Sequence, residues 1–506
     1  MSTKVKRPKQ SFNVSDVELT AEMKKGGAPS YDIEKLIKAH LEPEVWKEHI
    51  DKDLMKFWRL DDARKLQGGL FPTYRCNKGK ILDENNLPPE IKAALADDDT
   101  KGLVDLEHNY VRAHSRQTFA YGIAYNVTGN LEYLQWCKQG AEALMEAFDG
   151  EKGMFTKQNI KSGKWGDKVE ERDAQNLAYG ITGLGMYYYL TRDEKTLFKI
   201  LQAKENIFKN YFSHGRGYFT WLPKASKAQI DDKVEIVAQL DQIYAYMIWL
   251  TPALPEPYQS DWRQSLIDIT NILITRFYSE RYGFFWGTGT ENAAKRLGTA
   301  HTDFGHSIKT MWLIYQVGVM SGEMSFVNFA RGKMHTILEN AYLKDGTWAR
   351  RYDEKGNIDK DKEWWSFAEM NQACAILALN DPSYLSYLNN TYDYWFKYMV
   401  DKEYGEIHHF VAAGTNKPDI KFPKIHAWKT SLHSFEHALF GYLTASQIKN
   451  KPSTLYYAFK SVDDVTYDRV HPYLFRANIT DVSEEANIGF MENGNKKIKV
   501  GFYALH

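Results

Sequence analysis

Apolar side chains recur along this chain with a helical rhythm. Within 172–191, Leu177, Ile181, Leu184 and Tyr188 follow i, i+4, i+7 and i+11, the spacing of one helical face. The same reading gives helices near 44–66, 110–127, 131–148, 172–191, 194–210, 234–251, 260–279, 303–321, 325–341, 364–380, 382–399 and 429–447. They fall two at a time between copies of a short motif, a glycine followed by aromatic residues. The copies are Gly153-Met154-Phe155, Gly217-Tyr218-Phe219, Gly283-Phe284-Phe285, Gly346-Thr347-Trp348 and the weaker Gly405-Glu406-Ile407, at intervals of 64, 66, 63 and 59 residues. Gly69-Leu70-Phe71 is an earlier copy, set back by an insertion over 77–107. A period of this length exceeds that of the common helical solenoids, roughly 33–47 residues. Six hairpins, the last helix pairing with the first, predict an all-α fold, an (α/α)6 barrel of six helical hairpins. An open α-solenoid is the alternative.

After 451 the period changes. Leu455–Phe459, Tyr473–Ile479, Ile488–Met491 and Ile498–Tyr503 read as strands, with Asn493-Gly494 as a hairpin turn. The expected division is an N-terminal extension over 1–43, the barrel over 44–450 and a small β-rich C-terminal appendage over 451–506.

Composition narrows the function. Lys plus Arg and Asp plus Glu are both 65, so the formal net charge is zero, against a nucleic-acid binder held by bulk charge. No apolar run approaches the length of a membrane span. Met1 to Pro8 carry charge with no apolar segment behind them, so no secretory signal is expected. Cys76, Cys137 and Cys374 are too scattered for a disulfide framework or a zinc cluster, which suits a cytoplasmic protein. The expected partner is a small molecule, with no nucleic acid and no membrane, and a homo-oligomer is left open. Phosphate-loop, dinucleotide, HExxH and GxSxG motifs are absent, so no cofactor and no metal is expected. Aromatic residues make up 14% of the chain, with 14 Trp and 32 Tyr. They suit a large core, and equally a sugar site, where flat rings stack on sugar faces.

The chemistry-bearing residues cluster at the starts of alternate helices. Arg112 and Arg116 share a face ahead of Phe119 and Ile123. Asp303 and His306 stand i, i+3, which also fits a helix cap and a core histidine. Trp365 and Glu369 stand i, i+4. Trp428 is read as opening the last helix, with His433 and His437 beyond it. Helices of one parity form one ring of the barrel, so their first turns converge.

The stretches Glu363-Trp364-Trp365-Ser366-Phe367-Ala368-Glu369, Gly305-His306, Trp428-Lys429 with His433, and Arg116-Gln117-Thr118-Phe119-Ala120 resemble the N-acylglucosamine 2-epimerase superfamily of sugar epimerases and aldose–ketose isomerases. The resemblance runs in order over roughly 110–447. It implies the same barrel and a catalytic set of His306, His433 and Arg116. Glu369, Trp365, Trp428 and Asp303 then fall at the substrate. The chain departs from the family pattern at three places. Lys309 stands where a Glu follows the first histidine, Asp241 aligns with a third histidine, and Gln175 with a Tyr.

The reaction so implied is isomerisation or epimerisation of a free reducing sugar. A base removes the proton at C2 to give a cis-enediolate, with the two histidines as acid and base. Two other readings are open. One is a glycoside hydrolase on the same barrel, drawing paired carboxylates from Asp241, Asp303, Glu369 and Glu436. The other is a sugar-binding protein without turnover.

Overall fold

The structure, a computed structural model, describes residues 32–228, 234–289, 297–491 and 494–505. Most of the N-terminal extension and Asn493 of the expected hairpin turn lie outside these residues. Among the described residues, twelve helices form two concentric rings. The inner ring is α2 (Val111–Thr128), α4 (Ala174–Thr191), α6, α8 (Phe304–Ser321), α10 (Trp364–Ala378) and α12 (Leu432–Ile448). Helix α6 runs from Ile236–Gln242 through a π-helical stretch, Ile243–Met247, into Ile248–Leu250. The outer ring is α1, α3 (Leu131–Glu146), α5 (Glu194–Tyr211), α7 (Tyr258–Phe277), α9 (Met324–Ala341) and α11. Helix α1 comprises Pro43–Glu48, a π-helical His49–Leu54 and Met55–Trp58; α11 comprises Leu385–Tyr394 and a π-helical Trp395–Met399.

Burial separates the rings. Every residue from Val111 to Val127 of α2 is buried, as is every residue from Phe304 to Gly318 of α8. In α5 only Thr196, Ile200, Ala203, Asn206, Ile207 and Tyr211 are, at the spacing of a single apolar stripe. Each inner helix packs on its two inner neighbours, and α12 packs on both α1 and α2, which closes the ring. The closing contact is tight: Trp46 of α1 lies flat against Gly441 of α12, where a Cβ would fall 2.3 Å from the indole.

The repeated glycines mark the turns that lead from outer to inner helices. All six, Gly69, Gly153, Gly217, Gly283, Gly346 and Gly405, have positive φ. That backbone is costly for any residue with a Cβ. Around them run short antiparallel pairs such as Phe212–Ser213 with Tyr218–Phe219 and Tyr278–Ser279 with Phe284–Phe285. These hairpins put the N-termini of the inner helices together at one rim.

At the opposite rim sits a three-stranded antiparallel sheet of β1 (Ser453–Phe459), β2 (Asn478–Asn487) and β3 (Lys496–Tyr503), with β3 in the centre. It is tied to the end of α2 by Tyr125 Oη and Asn126 Nδ2, which donate to the Tyr457 and Tyr456 carbonyls. Two expected strands are corrected. Tyr473 to Ala477 precede β2 rather than opening it, because Tyr473 turns into the left-handed region at φ +62°. Ile488 to Met491 form a turn closed by Met491 N–H donating to the Ile488 carbonyl at 3.0 Å. Strand β2 itself, Asn-Ile-Thr-Asp-Val-Ser-Glu-Glu-Ala-Asn, is an edge strand and polar at most positions, which hides it from an apolar pattern. No helix among the described residues is long and apolar enough to cross a membrane.

Ring closure is testable at Gly441. Gly441→Ala should lower stability by about 1–3 kcal/mol through overpacking against Trp46. Gly332→Ala on the outer helix α9, where a Cβ meets nothing within 4 Å, should be neutral or stabilising by up to about 1 kcal/mol. Denaturant midpoints of the two variants check the contrast.

Candidate active site

The first two turns of the inner helices supply the polar core at the hairpin rim. His306 lies in the first turn of α8. Asp303 caps that helix, its Oδ1 accepting the His306 backbone N–H at 2.7 Å, while its Oδ2 takes the ring Nδ1–H at 2.7 Å. Cap and ring bond are both present, so Asp303 fixes the imidazole as well as ending the helix. Burial pushes the His306 pKa down; Asp303 opposes this, while His301 and Lys309 add to it. Lys309 stands three residues on along the same helix, and its like charge disfavours the imidazolium.

His433 lies in the first turn of α12. Its Nδ1 is 3.0 Å from the Tyr244 hydroxyl and its ring stacks on that phenol at an interplanar angle of 13°. Tyr244 donates its own proton to Glu436 Oε2 at 2.6 Å, so toward His433 the hydroxyl is the acceptor and Nδ1 carries the hydrogen. Glu369 Oε1 lies 3.1 Å from the same nitrogen without hydrogen-bond alignment, and Glu369 Oε2 accepts from Trp312 Nε1–H at 2.8 Å. Burial holds His433 well below the ordinary histidine range, reinforced by Lys309, Arg116, His306 and Lys429.

In both histidines Nδ1 is engaged and Nε2 makes no hydrogen bond among the described residues. Both side chains keep some accessible surface, 11% for His306 and 7% for His433, where Glu369 and Asp241 keep none. Trp365 neighbours both, its indole 4.5 Å from the His306 ring and 6.0 Å from the His433 ring. The structure thus brings the two imidazole rings to one indole.

Arg116 is buried. Its Nη1 donates to the Trp428 carbonyl at 2.7 Å and its guanidinium lies 3.7 Å over the Tyr179 ring. The Arg112 guanidinium lies 4.9 Å from the centre of the same ring. Trp428 is a correction: it does not open a helix, since α12 begins at Leu432, and its indole is 55% exposed. The segment before α12 is held irregular by its own hydrogen bonds. His426 N–H donates to the Lys429 carbonyl, and Trp428 N–H to His426 Nδ1. His426 Nε2 in turn meets His409 Nδ1 at 3.0 Å. What Trp428 gives the site is a carbonyl that positions Arg116.

The three departures from the family pattern touch one another. Asp241 Oδ1 lies 3.1 Å from Lys309 Nζ, and Asp241 Oδ2 accepts from Gln175 Nε2 at 2.7 Å. Tyr179 completes the set by donating to Asp241 Oδ1 at 3.0 Å. Lys309 and Asp241 are both buried. Burial alone would discharge each, and their mutual attraction more than offsets it, keeping Asp241 ionised and raising Lys309. Lys309 Nζ also lies 4.3 Å over the Tyr244 ring and 5.8 Å over Trp365, so its charge stands beside the site.

Glu369 and Glu436 form a buried pair next to His433. Burial pushes both upward, and at Glu369 the neighbouring Glu436 adds to it, which favours a proton shared within the pair. Glu369, His433 and Glu436 are the one set among the described residues whose histidine and carboxylate donors all lie within 4.8 Å of one another. Three of the four carboxyl oxygens already accept hydrogen bonds: Tyr244, Tyr473 and Gln372 donate to Glu436, and Trp312 to Glu369 Oε2. With the Lys309 charge also acting on both carboxyls, we read this as a hydrogen-bonded cluster and not as a metal centre.

Tyr244, Tyr179 and Tyr473 were not named from sequence, and Glu436 was named only as a carboxylate for hydrolysis. Tyr179 is four residues after Gln175, Tyr244 three after Asp241 and Glu436 three after His433, so helical spacing from each candidate was the available signal. Tyr473 had none.

Residues 253–427 match the family model described as N-acylglucosamine 2-epimerase. No curated protein sequence matches the chain. Among solved structures, cellobiose 2-epimerase from Spirochaeta thermophila DSM 6192 is similar at a TM-score of 0.66 and 15% identity, over 83% of this chain and 99% of that one. Cellobiose 2-epimerase from Bacillus thermoamylovorans B4167 gives 0.63 and 17%, over 79% and 98%. A D-mannose isomerase gives 0.62 and 15%, over 79% and 97%. These likenesses establish the (α/α)6 fold.

The buried ion pair predicts a double-mutant cycle. Lys309→Met should cost about 3–5 kcal/mol by leaving Asp241 unpaired in the core, and adding Asp241→Asn should recover most of it. Denaturation of the two single variants and the double variant measures the coupling.

Proposed function

We propose that this protein, an (α/α)6 barrel that resembles the N-acylglucosamine 2-epimerase superfamily, is a carbohydrate epimerase or aldose–ketose isomerase acting on a free reducing sugar. One observation carries the reading: two histidines, each held through Nδ1, pack near one indole, and neither Nε2 makes a hydrogen bond among the described residues. A sugar stacked on Trp365 would lie within reach of both. One Nε2 removes the proton beside the carbonyl, and the resulting imidazolium is stabilised by the carboxylate behind it, Asp303 for His306 or the Glu369–Glu436 pair for His433. The electrons pass into a cis-enediolate, whose oxygen charge Arg116 and Lys309 are placed to offset. Return of a proton to the other face of C2 gives the epimer, and to C1 the ketose.

Burial keeps both rings neutral at rest, which is the form a base needs. Asp241, Glu369 and Glu436 are buried and bound by internal donors, which argues against the paired-carboxylate hydrolase. Retention of two free imidazole nitrogens argues against a site for binding alone.

Incubation in D2O with a panel of hexoses, disaccharides and acylated amino sugars should place deuterium at C2 or C1 of at least one sugar, and EDTA should not prevent it. His306→Asn or His433→Asn should lower turnover by at least ~10²-fold with the fold retained. Activity should persist on the acid side of about pH 6.5, the ordinary histidine value, because both pKa values are lowered. Absence of carbon labelling together with release of reducing ends from glycosides would instead assign a hydrolase.

A further inference from the structure

The segment between β1 and β2 sends one side chain back into the barrel. Tyr473 is buried, and its ring packs among Phe119 of α2, Trp249 of α6 and Phe440 of α12, residues of three inner helices. Its hydroxyl donates to Glu436 Oε1 at 2.6 Å. Its backbone is in the left-handed region at φ +62°, an unfavourable place for an aromatic residue. That turn is held from both sides: Tyr473 N–H reaches the Tyr189 hydroxyl at 3.1 Å and the His471 carbonyl at 2.9 Å. Strain maintained by so many contacts marks a position where the side chain, and not the backbone, is needed.

The bond lands on the group that supports His433. Glu436 accepts from Tyr473, from Tyr244 at 2.6 Å and from Gln372 at 3.3 Å. Glu369 accepts from Trp312 and also feels the Tyr244 hydroxyl, whose one proton goes to Glu436 Oε2. Two buried carboxyls side by side share one proton, and the better-solvated member keeps the charge. Three donors against one place the charge on Glu436 and the proton on Glu369. Glu369 is the carboxyl 3.1 Å from His433 Nδ1, while Glu436 acts on that nitrogen only through Tyr244. The remaining groups that bear on His433 are cationic or imidazole, namely Lys309, Arg116, His306 and Lys429. Lys309 also acts on both carboxyls.

We propose that Tyr473, delivered from the C-terminal segment, is a positioning residue of the active site: its hydroxyl fixes which carboxyl of the Glu369–Glu436 pair is charged, and so keeps His433 a neutral base. The kinetic consequence rests on the isomerase reading; the protonation consequence does not.

The test is Tyr473→Phe, which keeps the ring and removes the bond, in the full chain. Without its third donor Glu436 holds the charge less firmly and shares it with Glu369, so negative charge shifts toward Nδ1 and the imidazolium is favoured. In ¹⁵N-histidine NMR the His433 midpoint should rise by about one unit. The acid limb of kcat/KM should rise with it, with KM within about twofold because Tyr473 is buried and its hydroxyl is spent on Glu436. Glu436→Gln should raise the midpoint by another route, since it leaves Glu369 as the sole carboxylate, and Tyr473→Phe should add nothing in that background. An unchanged His433 midpoint in Tyr473→Phe, whatever its thermal stability, overturns the proposal; if that variant does not fold, an unchanged midpoint in Glu436→Gln does so. A shifted midpoint in a protein that labels no sugar would retain the proposal and reject the isomerase reading.

Discussion

The inner ring turns little of its surface toward water. Its six helices are wrapped by the outer ring on one side and meet one another on the other, so a polar side chain in their first turns has only other such side chains to satisfy it. Lys309 finds Asp241, Asp241 finds Gln175 and Tyr179, Tyr244 spans His433 and Glu436, and Trp312 caps Glu369. Each bond joins two different inner helices. The same constraint that makes these groups expensive to bury makes their geometry rigid, because no rotamer away from the network is hydrated. The free Nε2 atoms of the two histidines stand out against this background of mutual satisfaction.

The departures from the family pattern form one cluster, which changes their meaning. Taken separately, a lysine, an aspartate and a glutamine in place of a glutamate, a histidine and a tyrosine would each disturb a buried site. In contact they form an ion pair with two neutral donors on the carboxylate, a self-consistent replacement. The net effect is a cation over Tyr244 and near Trp365, beside both imidazoles.

Much of the barrel was legible because burial imposes a period. The helix pairs and the positive-φ glycines leave their spacing in the chain whatever the side chains at the rim. Arg116, His306, Glu369 and His433 were legible as helix-start polar residues set in apolar sequence. Trp428 was misread because the irregular turn before α12 is set by His426 and Lys429, whose hydrogen bonds no periodicity encodes. Tyr244 sits in a π-helical stretch, where an extra residue per turn departs from the 3.6-residue rule. Tyr473 is reachable only through tertiary structure, since a strained turn carries it from the far rim to a helix it neighbours nowhere in sequence.

The seam between Trp46 and Gly441 also governs how the molecule must assemble. Each helical hairpin is a local unit that can collapse early, but α1 and α12 lie near opposite ends of the barrel sequence, and joining them carries the loop-closure entropy of almost the whole chain. The groups around the two imidazoles come from all six inner helices. An assembly with five hairpins in place would therefore own most of the core and an incomplete site, so this architecture ties a complete site to closure of the ring.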